Sequence, residues 1–89
     1  MKLALVTGAS SGIGADAARH LAARGARVVL VSRRLEDLER VAKSIGPGAI
    51  AIACDVSRGD DVLRLAESVR RDFGVPDVIV NSAGAGAWK

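Results

Sequence analysis

The chain has 89 residues, of which 49% are hydrophobic and 26% charged. This excludes a disordered protein and leaves room for one small globular domain over residues 1–89. The net charge of +3 does not indicate a nucleic-acid partner, because Lys and Arg alternate with Asp and Glu along the chain and only Phe73 and Trp88 are aromatic.

The location of the protein is predicted from what the sequence lacks. No apolar run approaches the ~20 residues of a membrane helix, and the apolar run near Met1 is too short for a signal peptide. Cys54 is the single cysteine, which excludes an internal disulfide and is consistent with a reducing compartment. We therefore expect a cytoplasmic protein with no membrane partner.

Four apolar runs alternate with longer amphipathic segments along the chain. The runs are Leu3–Val6, Val28–Val31, Ala49–Ala53 and Val78–Val80. Continuous apolar runs are typical of strands buried on both faces of a parallel sheet. The sequence predicts an α/β fold, a Rossmann-like doubly wound parallel sheet of about four strands and three helices, with right-handed crossovers.

Each segment between the runs has a helical spacing of apolar residues. The predicted helices run from about Gly12 to Ala23, from about Leu35 to Ile45, and from Ser57 or Asp60 towards Gly74. The predicted buried stripes are Ile13, Ala17 and Leu21 on the first helix, Leu35, Leu38, Ala42 and Ile45 on the second, and Val62, Leu65, Ala66, Val69 and Phe73 on the third.

A Gly-rich turn, Thr7–Gly14, separates the first strand from the first helix. Glycine lets a backbone approach a ligand closely, and the free N–H groups and dipole at a helix N-terminus favour an anion. The turn therefore predicts a phosphate cradle, the alternative being an ordinary strand–helix connection. Ser10 and Ser11 either bind phosphate or cap the helix, and Thr7 is expected to tie the turn to neighbouring backbone.

Three motifs in order resemble the N-terminal half of a short-chain dehydrogenase/reductase over essentially the whole chain. The first is the glycine spacing of Gly8, Gly12 and Gly14; the second is Asp55-Val56 after the third strand; the third is Asn81-Ser82-Ala83-Gly84 after the fourth strand. Ser82 stands where the family usually has a second Asn.

The resemblance implies a dinucleotide site with a defined set of contacts. Asp55 would accept a hydrogen bond from the adenine amino group, Val56 would pack on the ring, and Asn81 would have a structural role near the ribose. Capping of the third helix is an alternative role for Asp55, and Ser57 is a second candidate for that cap. The implied cofactor contacts are Gly8, Ser10, Ser11, Gly12, Ile13, Gly14, Ser32, Arg33, Arg34, Asp55, Val56, Asn81, Ala83 and Gly84.

The end of the second strand predicts which dinucleotide is bound. NAD enzymes usually place an acidic residue there for the ribose 2′-hydroxyl, whereas this chain has Ser32, Arg33 and Arg34. A hydroxyl and a guanidinium suit a 2′-phosphate, and Arg33 matches the family's NADP-selecting position. The sequence therefore favours NADP(H) over NAD(H). Alternatively, both arginines are solvated residues at the start of the next helix.

The resemblance implies hydride transfer between a nicotinamide and an alcohol or carbonyl, with a Tyr in a Tyr-x-x-x-Lys segment as the general acid. The chain contains no tyrosine, so we expect the catalytic half to lie outside these residues and the 89 residues to be inactive by themselves. Neither a catalytic set nor a metal site is predicted in them. A non-catalytic dinucleotide-sensing or scaffolding module is the alternative, and a methyl-donor site is disfavoured by Arg33 and Arg34.

The fourth strand is expected to be interior in the family's fold. Val78–Val80 would then present an apolar edge here, beside a sheet face that further helices would normally cover. We therefore expect self-association through that edge or face. His20 is expected at the surface, and Cys54 as a small buried hydrophobic residue.

Overall fold

The computed structural model describes residues 2–10 and 12–82. Its elements, in chain order, are β1 (Leu3–Thr7), α1 (Gly12–Ala23), β2 (Arg27–Ser32), α2 (Leu35–Ile45), β3 (Ala49–Ala53), α3 (Gly59–Asp72) and β4 (Val78–Asn81). The predicted alternation of four strands and three helices is confirmed, and so are the bounds of the first two helices.

The four strands form one parallel sheet in the order β3-β2-β1-β4. The chain moves outward from β1 to β2 and β3, and then crosses back to place β4 on the other side of β1. Ligands of such sheets bind at the carboxyl ends of the strands where the strand order reverses. Thr7, the last residue of β1, is in register with Val31 and with Asn81, so the Gly-rich turn lies at that position.

The centre of the sheet is buried on both faces. Val28 and Leu30 pack towards α1 and α2, whereas Val29 and Val31 pack towards α3, and all four side chains are inaccessible to solvent. Because successive residues of a strand point to opposite faces, this arrangement requires the uninterrupted apolar run of β2. The expectation that strands with such runs lie between two helical layers is confirmed for this strand.

The buried side of α1 differs from the predicted stripe. Ile13 is 73% exposed, whereas Gly14, Ala15 and Ala18 are buried. The prediction of Ile13 as a core residue is therefore wrong. Small side chains on the buried side allow the helix to lie close to the strands, and they turn the larger residue outward.

The other two helices bury only part of their predicted stripes. Leu38 and Val41 are the buried residues of α2, and Leu65 and Val69 are those of α3. The predicted stripe residues Leu35, Val62 and Ala66 are exposed. Each helix covers only two or three strands, so the inner part of each stripe is buried while its margin remains in water. None of the helices in the described residues is long and apolar enough to cross a membrane.

Because β2 is buried on both faces, we expect its side chains to contribute strongly to the free energy of unfolding. Leu30 has no exposed surface, whereas Leu63 on α3 is 65% exposed. Leu30→Ala is expected to lower the free energy of unfolding by about 2–5 kcal/mol, because it removes buried methyl groups and leaves a cavity. Leu63→Ala, the same chemical change in water, is expected to stay within about 0.5 kcal/mol of the parent. Urea unfolding followed by circular dichroism measures both, and equal losses would contradict the assignment of the core.

Candidate functional site

The Gly-rich turn adopts a backbone that only glycine accepts readily. Gly8 and Gly12 have positive φ values of 65° and 59°, a region that other residues rarely occupy. Between them, the buried Ala9 donates its N–H to the carbonyl oxygen of Val31 at 3.1 Å, which fastens the turn to β2. Because α1 begins at Gly12, the first free N–H groups of the helix lie at this turn, as an anion cradle requires.

Gly14 is required for a different reason, namely the close approach of neighbouring atoms. A Cβ atom at this position would lie 2.2 Å from the carbonyl oxygen of Gly8 and 2.5 Å from Oγ of Ser82. No real side chain tolerates such distances. The first turn of α1 is therefore pressed directly against the start of the Gly-rich turn and the end of β4.

A polar network joins the end of β1 to the end of β4. The Thr7 hydroxyl donates to Oδ1 of Asn81 at 2.8 Å and lies 3.5 Å from the carbonyl oxygen of Val80. The Ser82 hydroxyl donates to the carbonyl oxygen of Thr7 at 2.5 Å. Thr7 thus ties the turn to β4. We expected backbone partners, but the shorter of the two contacts of its hydroxyl is to the side chain of Asn81. The role of Ser82 was missed, because the motif alone does not show that its hydroxyl reaches back to Thr7.

Three separately predicted segments meet in one groove. A groove of about 410 Å³ is lined by Gly8, Ser32, Arg33, Cys54, Asp55, Val56 and Ser57. These residues lie at or just after the carboxyl ends of β1, β2 and β3. The N–H of Cys54 donates to the carbonyl oxygen of Ser32 at 2.9 Å. The volume suits a small-molecule site. A larger open hollow of about 920 Å³ beside α2 contains none of the predicted site residues.

The two arginines after β2 occupy different surroundings. Arg33 lines the groove, whereas Arg34 holds the N-cap position of α2 and lines a separate hollow with α2 residues. Oγ of Ser32 accepts a hydrogen bond from the N–H of Arg34 at 3.2 Å. Both arginines precede the first helical residue, Leu35. Arg33 is therefore the arginine that the fold directs to the same groove as Gly8.

Asp55 is fixed by the residue two positions later. Its Oδ1 accepts hydrogen bonds from the Ser57 hydroxyl at 2.6 Å and from the Ser57 N–H at 3.0 Å. The hydrogen bonds from Ser57, followed by the positive charges of Arg33 and Arg58, lower the pKa of Asp55. The carboxylate is therefore ionised at neutral pH. Neither Asp55 nor Ser57 caps α3, which begins at Gly59 with Arg58 in the cap position.

The remaining predicted residues are placed as follows. Val56 and Ile13 are both exposed apolar side chains, and Ser10 is half-buried in the turn. Ser11, Ala83 and Gly84 lie outside the described residues. Cys54 is buried and His20 is exposed, as predicted, and burial raises the pKa of the Cys54 thiol. Within residues 2–10 and 12–82, no group of His, Cys, Asp and Glu is arranged to hold a metal ion.

Comparisons of the sequence with known proteins agree on one family. The model of the short chain dehydrogenase family matches residues 2–89. An uncharacterised oxidoreductase of Staphylococcus saprophyticus is 42% identical over 84 residues, which cover 93% of this chain and 34% of the relative. A relative in Mycobacterium bovis, also an uncharacterised oxidoreductase, is 45% identical over 89 residues, which cover 26% of its length. The chain thus spans about a third or less of these two relatives.

Solved structures similar to this chain include complexes with NADP and with NADH. A metagenomic short-chain oxidoreductase in complex with NADP has a TM-score of 0.84 and 44% identity, with 88% of this chain and 37% of that chain covered. A 3-ketoacyl-(acyl-carrier-protein) reductase of Brucella melitensis, complexed with NADH, has a TM-score of 0.82 and 44% identity, with 88% and 32% covered. The fold is therefore shared with nicotinamide-dinucleotide oxidoreductases.

The contact at Gly14 predicts the effect of one added methyl group. Gly14→Ala is expected to cost about 1–3 kcal/mol of stability or more, because the methyl group meets backbone that must move, and to distort the anion cradle. At Gly59, the first residue of α3, an added Cβ atom would have no neighbouring atom within 4 Å. Gly59→Ala is therefore expected to leave the free energy of unfolding unchanged or to raise it by about 0.4–1 kcal/mol. Thermal unfolding of the two variants checks this, and equal melting temperatures would contradict the close approach.

Proposed function

Because this chain belongs to the short-chain dehydrogenase family, we propose that it forms the NADP(H)-binding portion of an oxidoreductase that transfers hydride between the nicotinamide and an alcohol or carbonyl substrate. The single observation that carries the proposal is the groove that brings Gly8, Arg33 and Asp55 together. Its lining includes a glycine of the anion cradle, a cation and a carboxylate acceptor.

The preference for NADP(H) rests on this chain's own residues. Similar structures bind either NADP or NADH, so the relatives do not decide between the two cofactors. Oγ of Ser32 accepts from the N–H of Arg34, which leaves the Ser32 hydroxyl proton free to donate. A hydroxyl donor and the guanidinium of Arg33 suit a 2′-phosphate through charge-assisted hydrogen bonds. Position 32, at the end of β2, is a serine and not an acidic residue, so no carboxylate at this position repels the phosphate.

We assign each of the other predicted contacts to one part of the dinucleotide. In this proposal the pyrophosphate lies against Gly8, Gly12 and the first N–H groups of α1, with Ser10, Ile13 and Gly14 around it. The adenine contacts Asp55 and Val56, and Asn81 borders the ribose and nicotinamide side. For Ser11, Ala83 and Gly84, which lie outside the described residues, the proposed contacts rest on the family resemblance alone.

In this proposal the described residues bind and orient the dinucleotide, and the dinucleotide donates or accepts the hydride when it is bound. The chain has no tyrosine, so the tyrosine general acid typical of the family is absent from these 89 residues. We propose that catalysis belongs to the whole protein and that this portion alone is inactive. A second candidate is a non-catalytic dinucleotide-sensing or scaffolding module, for which the same groove would bind the dinucleotide. Cofactor binding without hydride transfer in the full-length protein would favour this candidate.

We further propose a cytoplasmic location, because the one cysteine, Cys54, is a free and buried thiol. Such a thiol is stable where the surroundings keep thiols reduced. Neither nucleic acid nor a membrane is proposed as a partner.

The role of Arg33 is tested by comparing two cofactors on two variants. Arg33→Ala is expected to weaken NADP binding about ten- to hundredfold, the range for a hydrogen bond to a charged group, and to leave NAD binding within about threefold, since NAD has no 2′-phosphate. The matched control is Arg24→Ala, because Arg24 is exposed just after α1. Isothermal titration calorimetry measures the affinities of the parent and of both variants for NADP and for NAD. Equal losses for NADP and NAD would exclude the 2′-phosphate contact.

We also propose that the chain self-associates through the edge of β4 or the sheet face around it. Among residues 2–10 and 12–82, β4 pairs only with β1. Ile79, in register with Leu5, is 64% exposed on the same face of the sheet as α3. An exposed apolar strand is a template for pairing with another chain, and a second copy offers the same strand.

This proposal predicts a charge-sensitive assembly. Ile79→Lys is expected to shift the 89-residue chain towards monomer, because a charge on the open strand opposes pairing. Val75→Lys is the control, since Val75 is 74% exposed but precedes the strand. Sedimentation velocity over a range of concentrations distinguishes the two. A parent chain that stays monomeric at high concentration would contradict the proposal.

A further inference from the structure

We propose that Ser57 is a positioning residue that holds Asp55 so that the groove selects a base carrying an exocyclic amino group, adenine rather than hypoxanthine. This inference rests on the proposed dinucleotide function and adds a residue to it. Each polar atom of Asp55 that is hydrogen-bonded within the chain is unavailable to a ligand.

Both backbone groups of Asp55 are hydrogen-bonded within the chain. Its N–H donates to Oδ2 of Asp61 at 3.2 Å, and its carbonyl oxygen accepts from the N–H of Arg58 at 3.0 Å. Asp61, in the first turn of α3, is itself held in an ion pair with Arg64. The loop between β3 and α3 is therefore anchored at Asp55 by the helix that follows it.

One of the two carboxylate oxygens of Asp55 is hydrogen-bonded within the described residues. Both hydrogen bonds from Ser57 reach Oδ1, and no other described residue donates a hydrogen bond to Oδ2. Two bonds to one oxygen fix the rotation of the carboxylate. One acceptor atom therefore remains available beside Val56, in a groove of about 410 Å³.

An ionised carboxylate only accepts hydrogen bonds. The amino group of adenine is a donor and satisfies the free oxygen, whereas hypoxanthine has a carbonyl oxygen at the same position and would face the carboxylate with a second acceptor. A site that holds a polar group rigidly discriminates against a ligand that leaves the group unpaired. Without the Ser57 hydroxyl, only the bond from the N–H of residue 57 holds Oδ1. The carboxylate can then rotate more freely and meet either base through water, so the discrimination should fall.

The test compares NADP with its hypoxanthine analogue, deamino-NADP, on the 89-residue chain. Calorimetry of the parent is expected to give about tenfold or more preference for NADP, the scale of one hydrogen bond to a charged group. Ser57→Ala is expected to reduce that preference about three- to tenfold, mostly through weaker NADP binding. Ser57→Thr, which keeps the hydroxyl and the N–H, is expected to retain it. Ser44→Ala, a serine change on α2 away from the groove, is the matched control.

The ratio of two affinities on one variant is insensitive to a general loss of stability, which affects both ligands equally. An unchanged ratio in Ser57→Ala, with a discriminating parent, overturns the positioning role while leaving the proposed function intact. Equal affinities in the parent overturn the base selection. Failure of the parent to bind either dinucleotide overturns the proposed function itself, and this inference with it.

Discussion

The absence of a side chain at Gly14 is the constraint on which the rest of this structure depends. With no Cβ, α1 lies directly against the carbonyl of Gly8 and the hydroxyl of Ser82. These two close approaches join the end of β1, the start of α1 and the end of β4. They also bring the free N–H groups of α1 to the point where the strand order of the sheet reverses, where an anion is best held.

Parallel pairing then assembles the site from distant parts of the chain. The register between β1 and β2, and between β2 and β3, ends these strands at one level. Residues that follow the strands, such as Gly8, Arg33 and Asp55, consequently line the same groove although they are more than twenty residues apart. A slip of one residue in the register of any strand would turn its side chains to the opposite faces of the sheet. The residues that follow that strand would then no longer line the groove.

The groove combines opposite charges without neutralising them in a direct pair. The positive charge of Arg33 helps to lower the pKa of Asp55, but the largest contribution comes from the hydrogen bonds of Ser57. The guanidinium and the carboxylate thus remain available to different parts of a ligand. In the proposed complex the guanidinium meets a phosphate, and the free carboxylate oxygen meets an amino group. The backbone of Asp55 is held by hydrogen bonds with Asp61 and Arg58, which fixes the position from which its carboxylate meets a ligand.

The sequence by itself determined the order of the elements, the parallel sheet and the position of the Gly-rich turn. Apolar runs such as Val28–Val31 specify double burial, and periodicity is a local property that needs no knowledge of neighbours. The motif residues that line the groove were likewise evident, because their chemistry and spacing are local. Only the tertiary structure decided that Ile13 faces outward, that Ser82 clasps Thr7, and that Ser57 takes up one oxygen of Asp55. These outcomes depend on how closely α1 approaches the strands and on the path of the loop after β3, which are set by distances between elements that no local pattern encodes.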